Sequence, residues 1–198
     1  MSYVPEMTPF PLSGTERGSG GEDMTAEELL HTSIPNKRTE LVRGRLVVRE
    51  PAGYRHGAVA MNLAIRLGQH VERTGTGQLL AAETGFTLSR NPDTVRAPDI
   101  AYVRRDRIPN DATAFPQLAP DLVVEVLSPD DRPGETLAKI GDWLEAGVQI
   151  VWVIDPERRL ARVYRADGTE SVLRDTDELT GEDVLPGFRC VLGSILLR

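Results

Sequence analysis

The stretch that most restricts how this chain can fold is Asp121-Leu122-Val123-Val124-Glu125-Val126-Leu127, an almost unbroken apolar run closed by Ser128-Pro129. Such a run, bounded by turn residues, reads as a strand covered on both faces and therefore as a central one. The segment Ser128-Pro129-Asp130-Asp131-Arg132-Pro133 then opens a helix through about Ala146, with Gly147 as its C-cap. Gln149 to Asp155 is a second buried strand. Strand, helix, strand over residues 121–155 fits a right-handed crossover between parallel strands.

The rest of the chain arranges itself around this unit. Thr25 and Glu28 have capping-box spacing and Met24 with Leu29 has staple spacing, which predicts a short helix from Thr25. Glu40 to Val48 reads as a hairpin around Gly44. Ala60, Leu63, Ala64, Leu67 and Val71 repeat at helical spacing, predicting a long helix from about Tyr54 to Thr74 that stops at Gly75. Gln78 to Glu83, Phe86 to Leu88 and Asp99 to Val103 read as strands, and a further one covers Leu160 to Tyr164. The expected fold class is α/β, with a mixed β-sheet and flanking helices. Residues 1–23 are rich in Gly, Ser, Pro and Glu and read as a flexible tail, leaving 24–198 as a single domain.

Within this frame one residue is out of place. A carboxylate at Glu125, inside an apolar strand, would cost several kcal/mol or become protonated if left unpaired. A bound cation, an Arg or Lys partner, or a deliberately raised pKa would each accommodate it. So would an internal salt bridge without function, or a strand end that reaches solvent. Asp99 follows Pro98 at the start of its strand, and Pro-Asp is by itself a common turn or strand-start pair. Two carboxylates at neighbouring strand ends can share one hard divalent cation, and Mg²⁺ asks for few protein carboxylates, several waters and phosphate oxygens.

Lys139 lies on the crossover helix, where an ammonium can orient a metal-bound water or stabilise a phosphoryl group as charge builds. An exposed helix lysine is the plainer alternative. Glu40, at the start of the first hairpin, is either a third carboxylate or an exposed strand residue. His56, at the head of the long helix, suits contact with a phosphate, acid–base work, or a simple helix-start role. Trp143 and Trp152 fall in apolar periodic segments and read as core. The lone Cys190 cannot form an internal disulfide and reads as a small buried apolar residue.

The sequence also excludes a good deal. It has no GxxxxGK[ST] loop, no GxGxxG opening a helix, no GxSxG elbow and no HExxH. No apolar stretch approaches the roughly 20 residues of a membrane span, and the N-terminus does not read as a secretory signal, so a cytoplasmic protein is expected. The net charge of −7 argues against coating nucleic acid through electrostatics alone, although Arg43, Arg45, Arg49 and Arg55 cluster before the long helix.

Taken in order, Ala97-Pro98-Asp99-Ile100, Pro120 to Pro129 with Glu125 inside it, Lys139, Ala146-Gly147-Val148 and Val151-Trp152-Val153-Ile154-Asp155-Pro156 resemble the Uma-type putative restriction endonuclease family. That family lies within the PD-(D/E)XK nuclease superfamily. Glu40 to Gly44 and His56 add to the likeness, which runs from about Thr25 to the C-terminus. The resemblance implies a restriction-endonuclease-like nuclease core with a metal held at strand ends. It implies that Asp99 is the Asp of the Pro-Asp element, Glu125 the second carboxylate and Glu40 an assisting acid. The superfamily pattern places Lys two residues after the second carboxylate, where this chain has Leu127, and Lys139 is the matching position on the following helix.

The leading expectation is thus a Mg²⁺- or Mn²⁺-dependent endonuclease acting on nucleic acid, with DNA the expected form. Asp99 and Glu125 would bind metal, Glu40 would assist, Lys139 would position the attacking water, and His56, Arg43 and Arg55 would contact the phosphate backbone. The alternatives are a catalytically inactive nuclease-fold scaffold that binds nucleic acid or a protein partner, and hydrolysis of some other phosphate ester. Related nucleases often pair their sites to cut both strands, which makes a homodimer an expectation that nothing in the sequence itself demonstrates.

Overall fold

The computed structural model describes residues 23–110 and 114–197. The expected flexible tail therefore lies, but for Asp23, outside the described residues. The chain opens with a short helix α1 (Ala26–Leu30), whose N-cap Thr25 accepts from the Glu28 N–H while the Glu28 side chain returns to the Thr25 N–H, a complete capping box. The hairpin β1 (Arg38–Val42) and β2 (Arg45–Arg49) turns through Arg43 and Gly44, both at positive φ. Helix α2 (Tyr54–Thr74) ends where Gly75 adopts the left-handed conformation at φ 63°. That residue would strain any side chain, which is why the helical periodicity stops there.

Three strands follow, β3 (Gly77–Ala81), β4 (Phe86–Ser89) and β5 (Thr94–Arg96), and then β6 (Ile100–Arg104). The central unit consists of β7 (Leu122–Val126), α3 (Pro133–Glu145) and β8 (Ile150–Asp155). Both strands are buried along their whole length and pair in parallel, as the apolar runs predict. The helix begins later than its sequence signals suggest, at Pro133, and its C-cap is Ala146, with Gly147 one step beyond at φ 104°. The chain finishes with β9 (Leu160–Arg165), β10 (Glu170–Arg174), β11 (Glu178–Thr180) and β12 (Arg189–Val191).

Six strands form the main sheet in the order β10-β9-β8-β7-β6-β3, mixed because β7 and β8 alone run parallel. The first hairpin does not widen this sheet. It forms a separate four-stranded sheet in the order β2-β1-β5-β4, and β11 pairs only with β12. Period-2 patterning reveals that residues are in strands, but not which neighbour each strand chooses.

Alternation along β7 sends Leu122, Val124 and Val126 to one face, where they pack with Val59, Leu63 and Leu67 of α2 and with Leu179, Leu185 and Phe188 near the C-terminus. Val123 points to the other face, into a cluster with Ile140 and Trp143 of α3, Val151, Val153 and Phe86. Cys190 is a buried member of the first cluster, as expected of a small apolar residue. Among the described residues no helix is long and apolar enough to cross a membrane. The sheet thus carries α2 and α3 on opposite faces, and the N-terminal parts of both helices line one pocket beside the Glu125 end of β7. Leu63, fully buried, anchors α2, and Leu63→Ala is expected to cost about 2–5 kcal/mol. Urea unfolding checks this by a lower midpoint at an unchanged slope.

Candidate active site

The register of the sheet assembles the two principal carboxylates. Ile100 of β6 pairs with Val124 of β7 in antiparallel sense, so one further step brings Asp99 opposite Glu125. The Asp99 N–H donates to the Val124 carbonyl at 3.1 Å. Asp99 Oδ2 accepts from the Val126 N–H at 2.7 Å and lies 3.1 Å from His56 Nε2, in the first turn of α2. Its Oδ1 faces Arg38 Nη1 at 3.7 Å. Burial raises the Asp99 pKa, but the His56 hydrogen bond and the Val126 N–H outweigh it and hold the carboxyl below its ordinary value.

Glu125 projects from β7 on the α3 side and is gripped by two successive turns of that helix. Lys139 Nζ donates to Oε2 at 2.9 Å, and Trp143 Nε1 donates to Oε1 at 2.9 Å. Those residues stand four apart and so share one face of α3. Lys139 also donates to the Ala97 carbonyl at 3.0 Å and reaches Glu40 Oε1 at 3.0 Å. An ammonium has three donors, and all three are matched. Burial would lower the Lys139 pKa, but Glu125, Glu40 and Asp99 around it hold it above the usual lysine range. Burial pushes Glu125 up to about 7 against the pull of Lys139, with repulsion from Asp99 and Glu40 adding to the rise.

Glu40 sits on β1, reaching the site from the other sheet. Its Oε1 accepts from the Ala97 N–H at 3.0 Å and its Oε2 from Arg96 Nη1 at 2.9 Å. Desolvation opposes ionisation, but Lys139, Arg96 and the Ala97 N–H together hold the carboxyl at about 2. Arg96 turns its other side to Asp142, donating through Nε at 3.0 Å and Nη2 at 2.6 Å. A largely buried chain of charge therefore runs Asp142–Arg96–Glu40–Lys139–Glu125.

Glu40, Asp99, Glu125, Lys139 and His56 all line one pocket of about 170 Å³, together with Arg38, Arg49 and Leu127. Five of the seven site residues expected from sequence meet here. Arg43 and Arg55 do not line the pocket. Arg43 lies 3.7 Å from Asp142, and Arg55 pairs with Glu157 at 3.3 Å. Sequence reading missed Arg96 and Asp142 and saw in Trp143 only a core residue. The available signal was a charged residue in each of two apolar contexts, Val95-Arg96-Ala97 and Gly141-Asp142-Trp143. Trp143 is indeed fully buried, but its ring nitrogen also fixes the Glu125 carboxylate.

Among the described residues no three His, Cys, Asp or Glu side chains form a ready-made metal cage. The donor set nonetheless suits a hard cation that keeps most of its water. Such an ion needs only one or two carboxylates, and the Asp99–Glu125 repulsion is of the kind it relieves.

The family described as "Putative restriction endonuclease" matches residues 26–193. The chain belongs to the Uma2 family. Its fold is also that of a solved structure titled as a "putative nuclease belonging to DUF820" from Anabaena variabilis ATCC 29413. The two share 22% identity over 87% of this chain and 97% of that one, with a TM-score of 0.75. No curated protein matches this sequence. The Uma2 architecture is thus restriction-endonuclease-like, and its Pro-Asp element, strand glutamate and helix lysine come together in one pocket.

Two outcomes follow from the ion network. Arg96→Met leaves Glu40 and Asp142 without their shared cation, and is expected to cost about 3–5 kcal/mol, read by urea unfolding. Glu40 has a folded pKa of about 2 against an ordinary 4.5, so its stabilisation is complete above about pH 4.5 and disappears as the pH falls towards 2. Such a shift corresponds to about 3 kcal/mol, and Glu40→Gln should flatten that part of the acid-unfolding profile.

Proposed function

We propose that this Uma2 protein is a divalent-metal-dependent endonuclease that hydrolyses phosphodiester bonds in nucleic acid, with DNA as the expected substrate and Mg²⁺ or Mn²⁺ as the expected ion. The observation that carries this reading is the adjacency of Asp99 and Glu125 at one strand end, with the Lys139 ammonium 2.9 Å from Glu125. The family description supports it independently.

Asp99 and Glu125 would hold the ion, which supplies Lewis-acid polarisation of the phosphoryl group and a more acidic water. The protein's own residues do the rest. Val126 N–H and His56 fix the Asp99 carboxylate, and Trp143 fixes Glu125, so neither reorganises as substrate arrives. Lys139, kept charged by Glu40, exchanges one of its internal acceptors for the attacking water or a phosphoryl oxygen and stabilises charge as the water oxygen bonds to phosphorus. The attacking water's proton passes to solvent, the bond to the leaving oxygen breaks, and that oxygen takes up a proton from solvent. Arg38 and Arg49, at the pocket wall, are placed to meet flanking phosphates, a role expected from sequence of Arg43 and Arg55.

One observation favours a second reading, a scaffold that binds without cutting. All three Lys139 donors are already satisfied inside the protein, and Leu127 stands where the superfamily pattern has its lysine. Titration calorimetry with Mn²⁺ and a plasmid-nicking assay in the same buffers separate the two. Asp99→Ala is expected to abolish metal binding and nicking. Glu125→Gln, which preserves shape beside Lys139, is expected to lower nicking at least about a hundredfold. Lys139→Arg, which keeps the buried charge but displaces its donors, should lower nicking while keeping metal affinity. Full activity in the Asp99 variant sinks the assignment, and wild-type protein that neither binds metal nor nicks favours the scaffold.

A further inference from the structure

Beside the catalytic pocket lies a second, larger and mainly apolar cavity of about 850 Å³, within the ~300–1,000 Å³ range of ligand sites. It is walled by α2, the edge strand β3 and the segment from Ser33 to Arg38. The wall on α2 includes Gly57, Ala60, Ala64 and Gly68, which fall on one helical face. The missing side chains are what make the slot. A Cβ at Gly57 would meet nothing within 4 Å, and one at Gly68 would meet only Leu79 Cδ1 at 4.0 Å.

The slot is continuous with the catalytic pocket, since Arg38, His56 and Asp99 line both. His56 Nδ1 is buried without a hydrogen-bond partner among the described residues, although its Nε2 is engaged with Asp99. A phosphate held at Asp99 and Glu125 would carry a nucleoside on each side, and the slot opens directly beside that position. A flat, largely apolar ring with polar edges suits an apolar slot that has a polar group at its mouth. The net charge of −7 argues against a broad basic surface gripping the duplex backbone. A base inside a duplex cannot reach such a slot without leaving its stack.

We infer that this groove receives an unpaired nucleobase next to the scissile phosphate, so that the substrate class is single-stranded or base-extruded nucleic acid. This rests on the nuclease reading for the position of the phosphate. Met61, 60% exposed, lines the same groove and offers a polarisable thioether to the ring.

The test is fluorescence anisotropy of the full-length protein with a labelled single-stranded oligodeoxynucleotide, the same strand made abasic, and a blunt duplex, all in Ca²⁺ buffer. The single strand should bind about tenfold tighter than either other probe, the size of one base contact. Ala64→Trp, which fills the slot, should weaken single-strand binding by about the same factor. Should that variant fail to fold in a thermal melt, Met61→Glu at the exposed rim replaces it, with the same loss expected. Equal binding of duplex or abasic probe, or unchanged binding by the folded variants, overturns the proposal. So does sedimentation showing that Ala64→Trp converts a wild-type dimer to monomer, which would make the groove an interface between copies. Mn²⁺-dependent plasmid nicking by the wild type tests the nuclease reading separately. Groove-dependent single-strand binding without nicking supports the groove and favours the binding scaffold over the nuclease.

Discussion

The Lys139 ammonium, buried between Glu40 and Glu125, is the interaction on which the rest of this molecule depends. Taking such a charge out of water costs several kcal/mol, and only a complete set of acceptors offsets that cost. Lys139 finds them on β1, β7 and the Ala97 carbonyl. One side chain therefore ties the crossover helix to both sheets. Arg96 repeats the arrangement one helical turn away by joining Glu40 to Asp142. Together with the more exposed Arg49–Glu135 and Arg43–Asp142 pairs, these two cations fix the small sheet against α3.

The same network is a compromise between stability and chemistry. A wholly apolar seam of equal volume would hold the sheets together as well or better. The polar seam instead stores charge of both signs in a fixed geometry, with one carboxyl held down at Glu40 and another pushed up at Glu125. Pairs of acids driven apart by their surroundings are characteristic of working sites, although structural ion pairs also produce them.

Much of this was legible in the sequence because it disturbed a pattern. Glu125 announced itself by interrupting an apolar strand, and the strand–helix–strand unit around it appears as the buried runs predict. The caps at Thr25 and Gly75 are local chemistry and were readable as such. Arg96 was harder to read: its apolar neighbours were a signal, but an arginine in a three-residue strand looks like an exposed one until both sheets are folded against it. The separate sheet of the first hairpin escaped for a related reason: pairing partners are chosen by tertiary packing, whereas alternation records only the faces. Arg43 and Arg55 look equivalent to Arg38 and Arg49 in sequence, yet only the latter two face the pocket.

The pairing of Asp99 with Glu125 by strand register has a consequence for how the protein is made. A slip of one residue between β6 and β7 would turn one carboxylate to the opposite face, so no partly correct version of the centre exists. The four charged groups come from β1, the start of β6, β7 and α3, and the last of these emerges well after the first. A chain still being synthesised therefore carries the acids but not the ammonium that organises them. Folding itself acts as the safety catch: the centre comes into being only when the strand, helix, strand unit has closed over it.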